Sequence, residues 1–141
     1  MIGRGGWKTA SGILAAWAML FGCFAPVIYG AYKIYDKGTH QVIVLNVMEK
    51  PETVYKVSIA TAEEREFKIA TRDDKEMLFT GKTRRGLEAT AKISGLREGG
   101  SKLTLTVEKG KDPKGEHEEM VTSVLSVCSK LGTRCTEETG K

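Results

Sequence analysis

Residues 87–107 read LEATAKISGLREGGSKLTLTV, and this stretch decides the fold. Apolar and polar side chains alternate through Leu87–Ile93 and again through Leu103–Val107. This is the pattern of strands with one buried face and one solvent-exposed face. Between the two runs, Glu98-Gly99-Gly100 supplies residues that suit a turn. The stretch therefore predicts two neighbouring strands of an antiparallel sheet.

Three further strands and two helices are predicted around this pair. The predicted strands are His40–Met48, Phe67–Thr71 and Met77–Thr83, and the predicted helices are Pro51–Arg65 and Glu116–Leu131. Runs of strands with segregated helices are typical of α+β domains. We therefore expect an α+β domain over residues 39–135, with an antiparallel sheet of about five strands and two helices packed on one face. The expected order is β-α-β-β-β-β-α, followed by a flexible tail at 136–141.

The N-terminal region has a different composition. Arg4 and Lys8 precede 24 residues without a charge, and the next charged residue is Lys33. A basic start followed by an apolar core is the layout of a secretory signal, and its positive flank stays in the cytoplasm. We interpret residues 1–22 as a signal peptide or membrane anchor, and residues 23–38 as a Gly/Ala/Tyr-rich membrane-proximal segment.

Two kinds of anchor fit this region. Leu20-Phe21-Gly22-Cys23 resembles a bacterial lipobox, in which Leu20 and Gly22 occupy the motif positions and the Cys23 thiol receives the lipid. Phe21 is bulkier than the usual occupant of its position. In the alternative, the uncharged stretch is kept as a transmembrane helix, because it is long enough to span a bilayer. Both anchors place the following domain outside the cytoplasm, in the periplasm, and Phe24 in place of Asp favours the outer membrane.

Cys128 and Cys135 are the other two cysteines. On a continuous helix their Cα atoms would lie about 10 Å apart, which is too far for a disulfide. Gly132 can end the helix and turn the chain back, which would bring the two residues together. An oxidising compartment favours that pairing. The alternative is a buried, unpaired Cys128 and a free thiol at Cys135.

Three short motifs are candidate chemical sites. Gly81-Lys82-Thr83 resembles the end of a phosphate-binding loop, but position 76 is Glu and not the required glycine. His117-Glu118-Glu119 lacks a second histidine at position 121, so no metal site or cofactor is expected. The basic run Lys82, Arg84 and Arg85 could meet lipid head groups, although a solvated hairpin is the preferred interpretation.

The order of these features resembles a family of bacterial envelope lipoproteins that carry a small domain of unknown function. The resemblance covers most of residues 18–131. It rests on the Gly22-Cys23 pair, a Gly/Ala/Tyr segment, a helix that Pro51 opens, a Gly-Lys-Thr strand and a final amphipathic helix. It implies an exported lipoprotein with a compact α+β domain, and it carries over no catalytic residues.

We therefore expect a non-enzymatic, membrane-anchored protein with a structural or interaction role in the envelope. Its expected partners are the membrane and an envelope protein, and export excludes nucleic acid. The net charge agrees, since +4 falls to about +2 without Arg4 and Lys8. One alternative is a binding module for a lipid or other apolar ligand, with a cavity lined by Ile93, Leu105, Val124 and Leu125. Another is a single-span subunit of an envelope complex.

Overall fold

A seven-stranded sheet with two helices makes up the part of the chain, residues 29–138, that the computed structural model describes. Along the sheet the strands follow the order β3-β4-β5-β6-β2-β1-β7. All neighbours are antiparallel except β1 and β7, which are parallel. The elements are β1 (Tyr29–Lys37), β2 (His40–Val47), α1 (Pro51–Glu64), β3 (Lys68–Asp73), β4 (Leu78–Lys82), β5 (Glu88–Gly95), β6 (Ser101–Glu108), α2 (Pro113–Leu131) and β7 (Arg134–Glu137).

The α+β class is confirmed, but the expected strand number and order are incomplete. Two strands were missed, one at each end of the predicted order, so the order is β-β-α-β-β-β-β-α-β. β1 lies in the segment interpreted as membrane-proximal, where Gly38, with a φ of 73°, makes the tight turn into β2. β7 is only four residues long and pairs with Tyr29–Tyr32 of β1.

β1 also limits where an anchor can end. The uncharged stretch runs to Tyr32, but its last four residues are in β1, and the Tyr32 side chain is 8% exposed in the core. The prediction of a membrane helix that continues to Tyr32 is therefore wrong. Within residues 29–138, no helix has the length and apolarity needed to cross a membrane.

The core lies between one face of the sheet and the two helices. Alternate residues of the central strands point into it, as Ile43 and Leu45 of β2 and Leu103 and Val107 of β6 show. α1 contributes Val54 and Tyr55, and α2 contributes Val124, Val127 and Cys128. Full burial of such a side chain stabilises the fold by about 1.5–3 kcal/mol. The opposite face of the sheet carries no helix in the described part of the chain, and we call it the open face.

The ends of α2 are defined by local chemistry. Pro113 occupies the first turn, and the side chain of Asp112 accepts a hydrogen bond from the Gly115 amide. Gly132 ends the helix in the left-handed region, with φ 71°. The chain then reverses, and the Thr133 amide donates to the Cys128 carbonyl. This reversal leads directly into β7.

Candidate functional site

A cavity of about 300 Å³ lies between the sheet and the two helices. This volume is at the lower end of the range for small-molecule sites. Side chains from α1, α2 and strands β4, β5 and β6 line it. Residues of the connections that follow α1 and β4 complete the lining, so regular secondary structure frames most of the cavity.

The floor of the cavity is apolar and comes from the sheet. Phe79, Ala91 and Leu105 stand side by side on β4, β5 and β6. Ala89 and Ala91 lack the bulk to fill the space beneath the helices. As a result Leu105 is only partly buried, although it lies on a central strand between two residues that are each 4% exposed, Leu103 and Val107. The two alanines are the physical origin of the cavity.

One wall is the inner face of α1. Ser58, Thr61, Ala62 and Arg65 lie on it at helical spacing, so the wall runs for about 10 Å from Ser58 to Arg65. Ser58 is 5% exposed, and its Oγ has no hydrogen-bond partner among residues 29–138. The Thr61 hydroxyl donates to the Val57 carbonyl. This wall can therefore offer hydrogen bonds inside an otherwise apolar cavity.

The second wall is α2. Its inner part is apolar and consists of Met120, Val124 and Val127, while Glu119 and Ser123 lie toward the mouth. Of the four residues expected to line a cavity, Leu105 and Val124 do so. Leu125 is 39% exposed and Ile93 is 1% exposed, and neither lines the cavity. The site thus joins an apolar interior to a polar rim.

The charges at the mouth are partly compensated. Glu119 accepts from Arg84 at 2.6 Å and from Arg85 at 3.0 Å. Burial alone would raise the pKa of Glu119, but the hydrogen bonds from the two arginines outweigh it and lower the pKa below its usual value. Glu64, another residue of the rim, pairs with Lys130 at 2.6 Å. Arg84 and these two carboxylates are therefore neutralised by partners in the protein.

Arg65 is different from the other cations of the mouth. Its Nε donates to the Ser123 hydroxyl at 3.1 Å, and the described residues provide no ion-pair partner for its guanidinium. Two further carboxylates line the cavity: Glu66 is exposed, and Glu116 is buried and accepts from two backbone amides. Arg65 is thus able to hydrogen-bond an acidic group on a ligand that enters between α1 and α2.

A buried carboxylate holds the loop before α2 in place. Glu116 is 5% exposed and accepts from the amides of Gly110 at 2.8 Å and Asp112 at 3.0 Å. In the sequence this residue suggested only a favourable charge in the first helical turn. Because it satisfies two backbone donors, its role here is to fix the loop against the helix.

Two of the three cysteines lie among the described residues. Cys23, with Leu20 and Gly22 of the lipobox, lies outside the described residues. Cys128 and Cys135 form a disulfide, with their Cα atoms 6.2 Å apart. A Cβ at Gly30 would clash with the Cys135 sulfur, so only glycine fits beneath the bridge. The disulfide therefore fastens β7 to α2 directly above β1.

The other sequence motifs do not assemble into a chemical site. Gly81-Lys82 closes β4, and the Thr83 hydroxyl accepts from the Leu87 amide in the following turn. His117 is exposed on α2, and Glu119 is engaged by arginines. Within the described part of the chain no group of three His, Cys, Asp or Glu residues is placed to hold a metal ion.

A polar cluster outside the cavity ties the β3–β4 turn to α1. The Tyr55 hydroxyl donates to Asp74 at 2.6 Å, and Arg72 pairs with the same carboxylate at 3.0 Å. The hydrogen bond from Tyr55, and after it the one from Arg72, lowers the pKa of Asp74 below its usual value. Both partners stabilise the charged carboxylate, so the cluster has a structural role.

No family model matches this chain, and no curated protein is significantly similar to it. The likeness to envelope lipoproteins therefore stays a prediction from the sequence.

Proposed function

We propose that this chain is an exported, membrane-anchored, non-enzymatic module that binds a single-chain amphiphile with an acidic head group. The observation that carries the proposal is the cavity of about 300 Å³, with its apolar floor around Leu105 and its inner α2 wall around Val124. Its small volume favours one hydrocarbon chain over the two chains of a phospholipid. A fatty acid of medium length is the simplest molecule of this kind.

The polarity of the cavity sets the orientation of the ligand. A carboxylate placed beside Ser58 would be buried with a single hydroxyl for a partner, which is costly. At the mouth the same carboxylate would meet the Arg65 guanidinium and stay in contact with water. The hydrocarbon chain therefore enters first and the head group stays at Arg65.

Titration of the full chain with laurate, followed by native mass spectrometry from detergent, tests this proposal. We expect one laurate per chain, and we expect Arg65→Ala to weaken binding about tenfold, or roughly 1.4 kcal/mol for one charge-assisted hydrogen bond at an exposed mouth. Arg97→Ala is the matched control, because Arg97 is exposed in the β5–β6 turn and does not line the cavity. Equal weakening in both variants, or no bound laurate in the parent chain, would contradict the proposal.

The anchor is supported by the N-terminal sequence and by the start of the sheet. A basic flank, an uncharged core and Leu20-Phe21-Gly22-Cys23 precede β1, and only five residues separate Cys23 from Tyr29. The Cys128–Cys135 disulfide is compatible with an oxidising compartment outside the cytoplasm. Lipid on Cys23 would hold the domain at the surface of the envelope membrane.

Metabolic labelling with a palmitate analogue tests the lipid on Cys23. We expect the full chain to be labelled and the Cys23→Ala chain to be unlabelled, because position 23 carries the only thiol in the lipobox context. Cys128→Ala with Cys135→Ala controls for labelling of other cysteines. Equal labelling of the parent and the Cys23→Ala chain would refute lipidation there and leave the uncleaved helix as the anchor.

A further inference from the structure

The open face of the sheet has a marked excess of basic side chains. The strand register places seven cations on it: Lys33, Lys37, Lys68, Lys82, Lys92, Lys102 and Arg134. The same register places three acidic residues there, Asp73, Glu88 and Glu108. The strands of this face, with seven cations and three carboxylates, therefore carry a net charge of +4, and the Glu76 carboxylate of the β3–β4 turn lies 4.0 Å from the Lys92 Nζ.

The helical side of the domain has the opposite sign. Together α1 and α2 contain three lysines and six glutamates, which gives a net charge of −3 with histidine neutral. Arg65, Arg84 and Arg85 also lie on this side of the sheet. Over all the described residues outside the open face, twelve Lys or Arg and fifteen Asp or Glu residues leave the same net charge of −3, so the open face is the basic side of the domain. A molecule with this distribution orients its open face toward an anionic surface.

The middle of the open face suits contact with a polar surface. In register, Thr71, Thr80, Thr90 and Thr106 form a row across four strands, and Val42 and Tyr35 continue it. Tyr35 is 39% exposed, and the Nζ atoms of Lys33 and Lys37 lie 5.6 and 5.7 Å from its ring centroid. An exposed tyrosine between two lysines is a typical combination at a membrane interface.

The short segment between Cys23 and β1 keeps the open face close to the membrane. The five residues between Cys23 and Tyr29 reach at most about 20 Å when fully extended. β1 follows them directly and carries Lys33, Tyr35 and Lys37 on the open face. An uncleaved membrane helix ending before Tyr29 would restrict the domain in the same way.

We propose that the open face lies against the anionic lipid head groups of the membrane that holds the anchor. The proposal rests on the anchored part of the proposed function and does not depend on ligand binding in the cavity. The lysines and Arg134 of the open face attract the anionic head groups. The threonine row is polar, so it can contact the head groups without entering the hydrocarbon core. The helices and the mouth of the cavity then face away from the lipid.

Lysine amidination read by mass spectrometry tests this orientation on the full chain in nanodiscs. Lys37, Lys82 and Lys102 report on the open face, and the exposed Lys56 and Lys114 of the helices are internal controls. With phosphatidylglycerol in the disc we expect the open-face lysines to react several-fold more slowly than in discs of phosphatidylcholine alone. High salt should remove the difference. The two helical lysines should react equally in both discs.

Charge variants give the matched comparison. Lys33→Gln with Lys92→Gln should lose most of the protection of Lys102, whereas Lys56→Gln with Lys114→Gln should keep it. Equal reactivity of the open-face lysines in both discs, whether fast or slow, would overturn the proposal. A chain that stays in the disc with unprotected lysines refutes only this orientation. A chain that fails to enter the disc at all refutes the anchor, and with it the premise of the proposal.

Discussion

The Ala91→Phe chain is expected to lose laurate binding by at least about a hundredfold while remaining fully folded. Ala91 lies on the floor of the cavity between Phe79 and Leu105 in the strand register. A phenyl group there projects into unoccupied apolar space and takes the place of the hydrocarbon chain. Unfilled cavity space costs about 24 cal/mol per Å³, so partial filling should leave the unfolding temperature unchanged or raise it. Native mass spectrometry and thermal unfolding measure the two effects.

The combination of the two effects makes this prediction specific. In a tightly packed core the same substitution would cost about 1–3 kcal/mol through overpacking. Ala60→Phe is the control, because Ala60 is exposed on α1 and does not line the cavity. It should bind laurate like the parent chain. Retained binding in Ala91→Phe would place the ligand elsewhere, and a large loss of stability would mean that the cavity does not exist.

Removal of the disulfide is expected to lower the free energy of unfolding by about 2.5 kcal/mol. The bridge closes an eight-residue loop between Cys128 and Cys135, and closing a loop of that length restricts the unfolded chain by about this amount. The variant that tests it carries Cys128→Ala and Cys135→Ala. Denaturant unfolding measures the loss, and a reductant acting on the parent chain should produce a similar one.

The position of the disulfide predicts which segment loses stability when it is removed. β7 is four residues long, and within residues 29–138 it pairs with β1 alone, so without the disulfide its amides should exchange with solvent as a locally unfolded segment. The Glu138 amide, which donates to the Tyr32 carbonyl at 2.7 Å, is the most informative reporter. Laurate binding should persist, because neither cysteine lines the cavity. A change in stability below about 0.5 kcal/mol would contradict this account of the bridge.

The central strands and α2 could be predicted from the sequence because their signals are local. Alternation through Leu87–Ile93 and Leu103–Val107 marks β5 and β6, and Gly132 marks the end of α2. β1 was missed because its first residues continue the uncharged stretch, and periodicity does not separate an anchor from a buried strand. β7 was missed because its pattern is polar, and its existence depends on the disulfide and on parallel pairing with β1.

The candidate site could be predicted only in part. Alternation shows that Leu105 faces the helices, and helical phase shows the same for Val124. Neither signal shows whether the space between the sheet and the helices is filled. Ala89 and Ala91 decide this, because their small side chains leave space beneath α1 and α2. Leu125 was expected in the cavity, but it lies one residue from Val124, about 100° around the helix, and is exposed. The part played by Arg65 depends on tertiary contacts with α2 that no local pattern reports.

The most direct test of the central claim is photocrosslinking of a laurate that carries a diazirine at its chain end. With the full chain in nanodiscs, the account predicts labelled peptides that contain Leu105 on β6 and Val124 on α2, with labelling suppressed by excess unmodified laurate and absent from Ala91→Phe. Labelling confined to peptides outside the cavity lining, or undiminished by excess laurate, would contradict the claim that this domain binds a single-chain amphiphile between its sheet and its helices.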